Sequence, residues 1–302
     1  MITSSIYNRA FWNAMRGKTA GYSELAEGAD GTGYYLSPDE FREKFNVALV
    51  KDNVFRRLAT IIQATTTDGK IQAVVSTGSA AWVPEDTVIP ESTDTFTQFP
   101  IKSHKLASLS RLKESFANDN RFDLERYLLR EFTRRFGRAE EHAFVNGDGL
   151  SQPCGLLSAT GAEIGITAAE AAKIAYDEVV KLYFSLKAEY RPNAVFLMHD
   201  ETAMLLRTLK DTSGTPLWNS SADTIFSKAV VTSPSMPTIA AGAKPIVFGD
   251  LSYYWVIERQ PLSVTRLNEL FAEQGQVGFI AYERLDGRLI RPEAMKILQM
   301  AE

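Results

Sequence analysis

The side chains able to carry nucleophilic or metal chemistry are few: His104, His142, His199 and a single cysteine, Cys154. None of the histidines stands at ligand spacing from another histidine or from the cysteine, so no metal site is expected. His142, four residues after Arg138 on a predicted helix, reads as a surface or packing residue. Gln152-Pro153-Cys154-Gly155, with His104 fifty residues upstream, has the outline of a Q-A-C-x-G protease nucleophile signature. The match fails in detail, because Pro153 replaces the alanine, no residue separates Cys154 from Gly155, and Lys105 follows the histidine. A turn after a helix is the plainer reading, and a stand-alone hydrolase using Cys154 is kept only as a remote alternative. Gly147-Asp148-Gly149 is no dinucleotide fingerprint, since Gln152 stands where the third glycine belongs and no strand precedes it. No Walker sequence or G-x-S-x-G occurs, and Gly249-Asp250 and Asp286-Gly287 read as turn punctuation. The chain is expected not to be an enzyme, with no catalytic residue, cofactor or metal.

The pattern that stands out is one of charge. Arg126, Arg130, Arg134 and Arg138 lie four apart on a predicted helix, where like charges repel by roughly 0.2–0.5 kcal/mol per pair. Glu131 is placed to relieve Arg135 but not this stripe. Carboxylates from elsewhere would relieve it, and the stretch from Ser76 to Lys105 carries Glu85, Asp86, Glu91 and Asp94. The plain alternative is a solvated helix face, because exposed charges contribute little. The same stretch holds Pro84, Pro90 and Pro100, yet places Trp82, Val88, Ile89, Phe96 and Phe99 where a solvent loop would be polar. An excursion with so many large apolar groups needs a partner surface. Trp82, Glu85, Asp86, Glu91, Asp94, Phe96 and the four arginines are therefore the candidate inter-subunit contacts.

The elements that must position these residues follow from periodicity. Phe122 to Phe144 places Leu128, Phe132, Phe136, Ala139 and Ala143 along one face, a long amphipathic helix. Asn146-Gly147-Asp148-Gly149 is expected to end it with a left-handed glycine cap. Before it, a short helix is predicted from Tyr7 to Met15 within an arm, and Phe41, Phe45 and Leu49 mark a helix to about Val50. The arm has too little apolar surface to fold alone, and is expected to become ordered against something else. Asp68-Gly69 between Ile61–Thr65 and Ile71–Val75 is the strongest hairpin signal. In the second half, Ala169–Lys187 reads as a helix, Ala194–Met198 as a strand, and Glu201–Leu209 as a helix capped by Asp200. Strands are predicted at Ala229–Thr232, Ile246–Phe248, Tyr254–Ile257, Leu262–Leu267, Val277–Tyr282 and Arg288–Ile290. Helices and short strands without strict alternation predict an α+β fold.

Composition bounds the rest. The 302 residues are 45% hydrophobic and 23% charged, ordinary globular usage. A net charge of −4 argues against tight non-specific DNA binding, so any contact with nucleic acid should be weak. One cysteine cannot bridge internally and fits a reducing compartment. No run approaches the ~20 apolar residues of a membrane span, and Met1–Gly17 lacks the order of a signal peptide. The expectation is a protein made in a bacterial cytoplasm, without membrane contact and without a fixed-period repeat.

Taken in order, several runs resemble the phage major capsid family of the Hong Kong 97 fold. They are Gly33-Tyr-Tyr-Leu-Ser-Pro-Asp-Glu-Phe41, Ala81-Trp-Val-Pro-Glu85 with Pro90-Glu-Ser92, and Glu140-Glu-His-Ala-Phe-Val-Asn-Gly-Asp-Gly149 continuing to Gln152-Pro153 and Gly155-Leu156. Further on come Tyr190-Arg-Pro-Asn-Ala194, Phe248-Gly-Asp250, Tyr253-Tyr-Trp255, Asp286-Gly287 and Arg291-Pro-Glu-Ala294. The resemblance covers nearly all of residues 7 to 300. It implies an N-terminal arm (1–33), an extended loop reaching over the adjacent subunit (62–105), a peripheral domain with a spine helix (34–61, 106–167 and 262–283), and an axial domain (168–261 and 284–302). It also implies pentamers and hexamers of an icosahedral head around double-stranded DNA, with portal, scaffolding and maturation protease proteins as partners. Members commonly begin with a removable scaffolding segment; none precedes Met1, so a mature form or a separate scaffolding protein is expected. The founding member crosslinks through a lysine at the loop tip, and Asp86 matches that position here, so no crosslink and no catalytic residue is carried over. An encapsulin-like compartment on the same fold is the nearest alternative.

Overall fold

The computed structural model describes residues 4–18, 25, 36–64, 69–76, 80–84, 87–88, 91, 95–119, 121–210, 213–216, 218–219 and 223–302. The chain opens with helix α1 (Ser5–Met15), started by the Ser4 hydroxyl accepting the Tyr7 N–H at 3.1 Å. Helix α2 (Asp39–Asp52) buries the expected stripe of Phe41, Phe45 and Leu49. Asn53 breaks it and restarts a short helix, α3 (Val54–Leu58), by accepting from the N–H groups of Phe55 and Arg56. Strands β1 (Thr60–Gln63), β2 (Lys70–Ser76), β3 (Thr95–Pro100) and β4 (His104–Lys113) follow, then helix α4 (Glu114–Asn118). Helix α5 (Leu124–Asn146), the spine, has 23 residues, about 35 Å at 1.5 Å per residue. Asp123 caps it by accepting from the Arg126 N–H at 3.0 Å.

After the spine come β5 (Glu163–Thr167), α6 (Tyr176–Ser185), β6 (Val195–Met198), α7 (Asp200–Thr208), β7 (Trp218–Asn219), β8 (Thr224–Ile225), β9 (Lys228–Thr232), β10 (Ile246–Gly249), β11 (Tyr254–Leu267), β12 (Gln276–Leu289) and β13 (Met295–Gln299). Three sheets result among the described residues. One is ordered β1-β11-β12-β4, one β5-β13-β10-β6-β9-β8-β7, and the third is the two-stranded ribbon β2-β3. The first sheet and the spine enclose a core built on Phe11, Phe41, Phe45, Phe132, Phe136 and Phe279. A second core, with stacked Phe196 and Phe248, lies under the seven-stranded sheet. Between them Phe55, Phe144 and Tyr254 pack edge to face or tilted at 5.1–5.6 Å.

The mixed α+β architecture is as expected, but several local expectations are overturned. No hairpin joins β1 to β2: β1 runs parallel to β11, with Thr60 opposite Trp255, while β2 pairs with β3, with Ile71 opposite Phe99. A turn dipeptide marks a change of direction without choosing the strand's partner; Asp68 itself lies outside the described residues. The spine does not end in a left-handed cap. Gly147 has φ −62°, and a Cβ there would stand 2.0 Å from the Pro153 carbonyl oxygen. Glycine is required by that close backbone approach. Asp286-Gly287 is not a turn but part of β12, where a Cβ on Gly287 would meet the Tyr254 hydroxyl at 2.5 Å.

Residues 169–187 are helical only from Tyr176 to Ser185, because the Glu178 carboxylate accepts from both Ala169 N–H (2.7 Å) and Ala175 N–H (2.8 Å) and folds the preceding chain back. The cap of α7 is His199, whose Nδ1 accepts from the Glu201 N–H, rather than Asp200. The four strands predicted between 254 and 290 are two long ones, β11 and β12. Exposed Pro261 sits where their register shifts, between Gln260 and Ser263, the position at which a sheet tolerates proline. Strand continuity thus places 254–261 and 284–289 in the sheet beside the spine.

Candidate inter-subunit surface

The ribbon β2-β3 pairs with neither of the other two sheets. Its base is tied down: the Ile101 N–H donates to Gly69 O at 3.0 Å, and Lys102 donates its N–H to Asp286 Oδ2 at 2.7 Å and its Nζ to Gly149 O at 2.5 Å. Beyond the base, two large apolar groups stand bare among the described residues, while Phe99 is half-buried with the Arg288 guanidinium 5.4 Å from its ring centre. Trp82 is 104% exposed and Val88 is 93% exposed. Glu91 is exposed too. Glu85, Asp86, Asp94 and the side chain of Phe96 lie outside what the structure describes.

Arg126, Arg130, Arg134 and Arg138 all stand exposed along one face of α5, as the four-residue spacing predicts. Glu131 reaches further than expected. It pairs with Arg135 at 3.2 Å and also with the stripe's own Arg134 at 3.0 Å. Among the described residues no ion pair joins Glu91 to the stripe. Arg134 and Arg138 border a cleft of about 440 Å³ with Lys51, Asp52, Thr133 and Glu141. That cleft was not legible in the sequence, because it forms only where α2, the spine and the β9 end meet.

The nucleophile candidate is a packing residue. Cys154 is buried, its Sγ lies 3.2 Å from Ser158 Oγ and 3.0 Å from Thr160 Oγ1, and its carbonyl accepts from the Tyr254 hydroxyl at 2.7 Å. Its sulfur thus contacts two hydroxyls and no imidazole; His104 instead lies 3.6 Å from Asp286. Asp148 organises the turn after the spine by accepting from Leu150, Ser151 and Gln152 N–H groups and the Ser151 hydroxyl. These bonds, the Leu150 N–H foremost, hold its carboxyl well below the usual range. Among the described residues no cluster of three metal-ligating side chains occurs, and no helix is long and apolar enough to cross a membrane.

The fold combines a 23-residue helix beside a four-stranded sheet, a separate seven-stranded sheet and a two-stranded ribbon, and comparison with known proteins identifies the class. The profile of the phage capsid family matches residues 33–300. The structure of the capsid of an empty GTA particle is similar at 30% identity, covering 83% of this chain and 90% of the other with a TM-score of 0.72. The capsid of the native GTA particle is similar at 30% identity, covering 84% and 90%, TM-score 0.68. A structure from Microbacterium phage Oxtober96, at 17% identity over 82% and 91% of the chains, shares the fold with a TM-score of 0.60. No curated protein sequence matches. The chain belongs to the phage capsid family; it is a structural, non-enzymatic major capsid protein.

Proposed function

We propose that this capsid protein builds pentamers and hexamers of an icosahedral head enclosing double-stranded DNA, and that its extended loop is the connecting element between copies. The exposure of Trp82 and Val88 carries this reading: a soluble subunit that leaves such groups bare gains by burying them in an oligomer. The two similar GTA capsids were computed with C5 symmetry, which supports assembly around fivefold axes. In the assembled state the acidic loop of one copy, Glu85, Asp86, Glu91 and Asp94, would neutralise Arg126, Arg130, Arg134 and Arg138 of the next. Portal, scaffolding and protease proteins are the expected further partners. Contact with packaged DNA would be weak, in keeping with a net charge of −4.

Electron microscopy of the purified protein, with and without co-expressed portal and protease, tests the assembly. Closed heads that accept a portal support the reading, and shells that load a cargo enzyme instead support a compartment of the encapsulin kind. Reversing Arg130 and Arg134 to Glu should abolish particles while circular dichroism shows the subunit still folded; particles forming normally would remove the stripe from the contact.

A further inference from the structure

Trp82 is fully exposed, so its own chain supplies no wall for the indole ring. A ring left in water forgoes the burial of about 150–250 Å² of surface, which an apolar site on another copy would recover. One cleft of the subunit has the matching chemistry. It encloses about 340 Å³ and is lined by Leu106 of β4, Ala139 and Ala143 of the spine, Pro153 in the turn after it, and Leu285 of β12. Ala139 and Ala143 stand one helical turn apart and present only methyl groups, which leaves open the volume that larger side chains would fill.

Two polar features suit this cleft to an indole on an acidic segment. His104 lines it with a side chain only 10% exposed, and its Nε2 makes no hydrogen bond, Asp286 Oδ1 standing 3.6 Å away. An indole N–H only donates, and a neutral imidazole with its proton on Nδ1 offers Nε2 as the acceptor. Lys105 also lines the cleft, while Glu85 and Asp86 follow Trp82 closely in sequence. The one carboxylate in the lining, Glu140, has both oxygens engaged by the Arg56 guanidinium, at 2.6 and 2.9 Å. The cleft also lies at the root of the chain's own loop: His104 comes two residues after Lys102, which is tied to Asp286 and Gly149.

We propose that this cleft at the loop root is the socket for Trp82 of the neighbouring copy, with the indole seated over Ala139 and Ala143 and Glu85 of the incoming loop beside Lys105. The socket rests on the assembly reading given above and adds to it the site on the next copy that receives the loop. Anchor and socket are different surfaces, and every copy carries both. A contact between unlike surfaces repeats head to tail and closes into a ring when the rotation allows. One chain therefore holds everything a ring of copies needs, and no copy satisfies its own anchor.

A disulfide placed across the contact tests it in assembled particles. Ala81 and Gln152 are both exposed, one beside the anchor and one on the socket. Ala81→Cys with Gln152→Cys, in a Cys154→Ala background so that no native thiol competes, should link under mild oxidant into a ladder of chains, and neither cysteine alone should give one. A linked single chain of altered mobility would mean that the loop folds into its own root. Unlinked chains in well-formed particles would mean that the indole seats elsewhere. Either result overturns the socket and leaves the assembly reading in place, whereas failure of the unaltered protein to form particles removes both. A second test needs no cysteine. Ala139→Phe, at an exposed helix position, fills the cleft and should weaken association about thirtyfold or more, the loss expected for an interface anchor. Trp82→Ala should cost as much, and the two together no more than either alone. Additive losses, with circular dichroism showing the subunits folded, would detach the indole from the cleft.

Discussion

Helix α1 and the segment carrying Trp82 and Val88 are both short runs with large apolar side chains and no partner nearby in sequence, yet they end in opposite states. Phe11 is completely buried, and Tyr7 and Met15 nearly so, whereas Trp82 is 104% exposed and Val88 93% exposed. The leading helix was expected to need something beyond its own fold to order it. It finds that surface within the chain: the Tyr7 hydroxyl donates to Leu36 O at 2.7 Å, Arg16 donates to the carbonyls of Asp119 and Phe122, and its apolar face joins the core of α2 and the spine. Trp82 and Val88 lie between the two strands of a ribbon, a unit that is marginal alone. Apolar content states that burial is needed; it does not say whose surface provides it.

The comparison can be broken most forcefully at the shared core. Phe132→Ala removes a fully buried ring from the contact of α1, α2 and α5 and should cost about 3–5 kcal/mol in denaturant unfolding, with the α1 amides losing exchange protection together with those of the spine. Independent exchange of α1 would show that its burial is not cooperative with the core. A smaller effect is expected for Gly287→Ala, where the new Cβ would meet the Tyr254 hydroxyl and the Phe144 ring. Overpacking of this kind costs about 1–3 kcal/mol, measurable as a lowered melting temperature; an unchanged one would mean the joint yields freely. The least effect on the subunit is expected at the loop. Trp82→Ala should change its stability by no more than about 0.5 kcal/mol, yet weaken association by about 2 kcal/mol or more if the ring is an interface anchor. Sedimentation of subunits against assembled particles reads the second figure, and equal association for both proteins would detach Trp82 from the contact.

Much of the candidate surface was legible because it obeys local rules. A repeat of four puts Arg126, Arg130, Arg134 and Arg138 on one helix face whatever surrounds the helix. Trp82 and Val88 announce themselves as out of place beside Pro84 and Pro90. Less visible was Glu131, whose reach to both Arg134 and Arg135 depends on rotamers. The ion pairs of Arg56 with Glu140 and Glu258 were not seen at all, since the three residues are scattered over more than two hundred positions and each alone reads as an ordinary surface charge.

The chain's own residues determined the long spine through its apolar periodicity, the α2 stripe, the α+β character, and the absence of a nucleophile or ligand-spaced motif. Those properties depend on neighbours a few positions away. The tertiary structure alone decided that β1 would lie beside β11 and β2 beside β3, that Gly147 and Gly287 serve close approach rather than turning, and that the carboxylates of Glu140 and Glu258 would gather on Arg56. Each of these is a contact between segments distant along the chain, and its energy comes from shape and desolvation that exist only once both segments are in place.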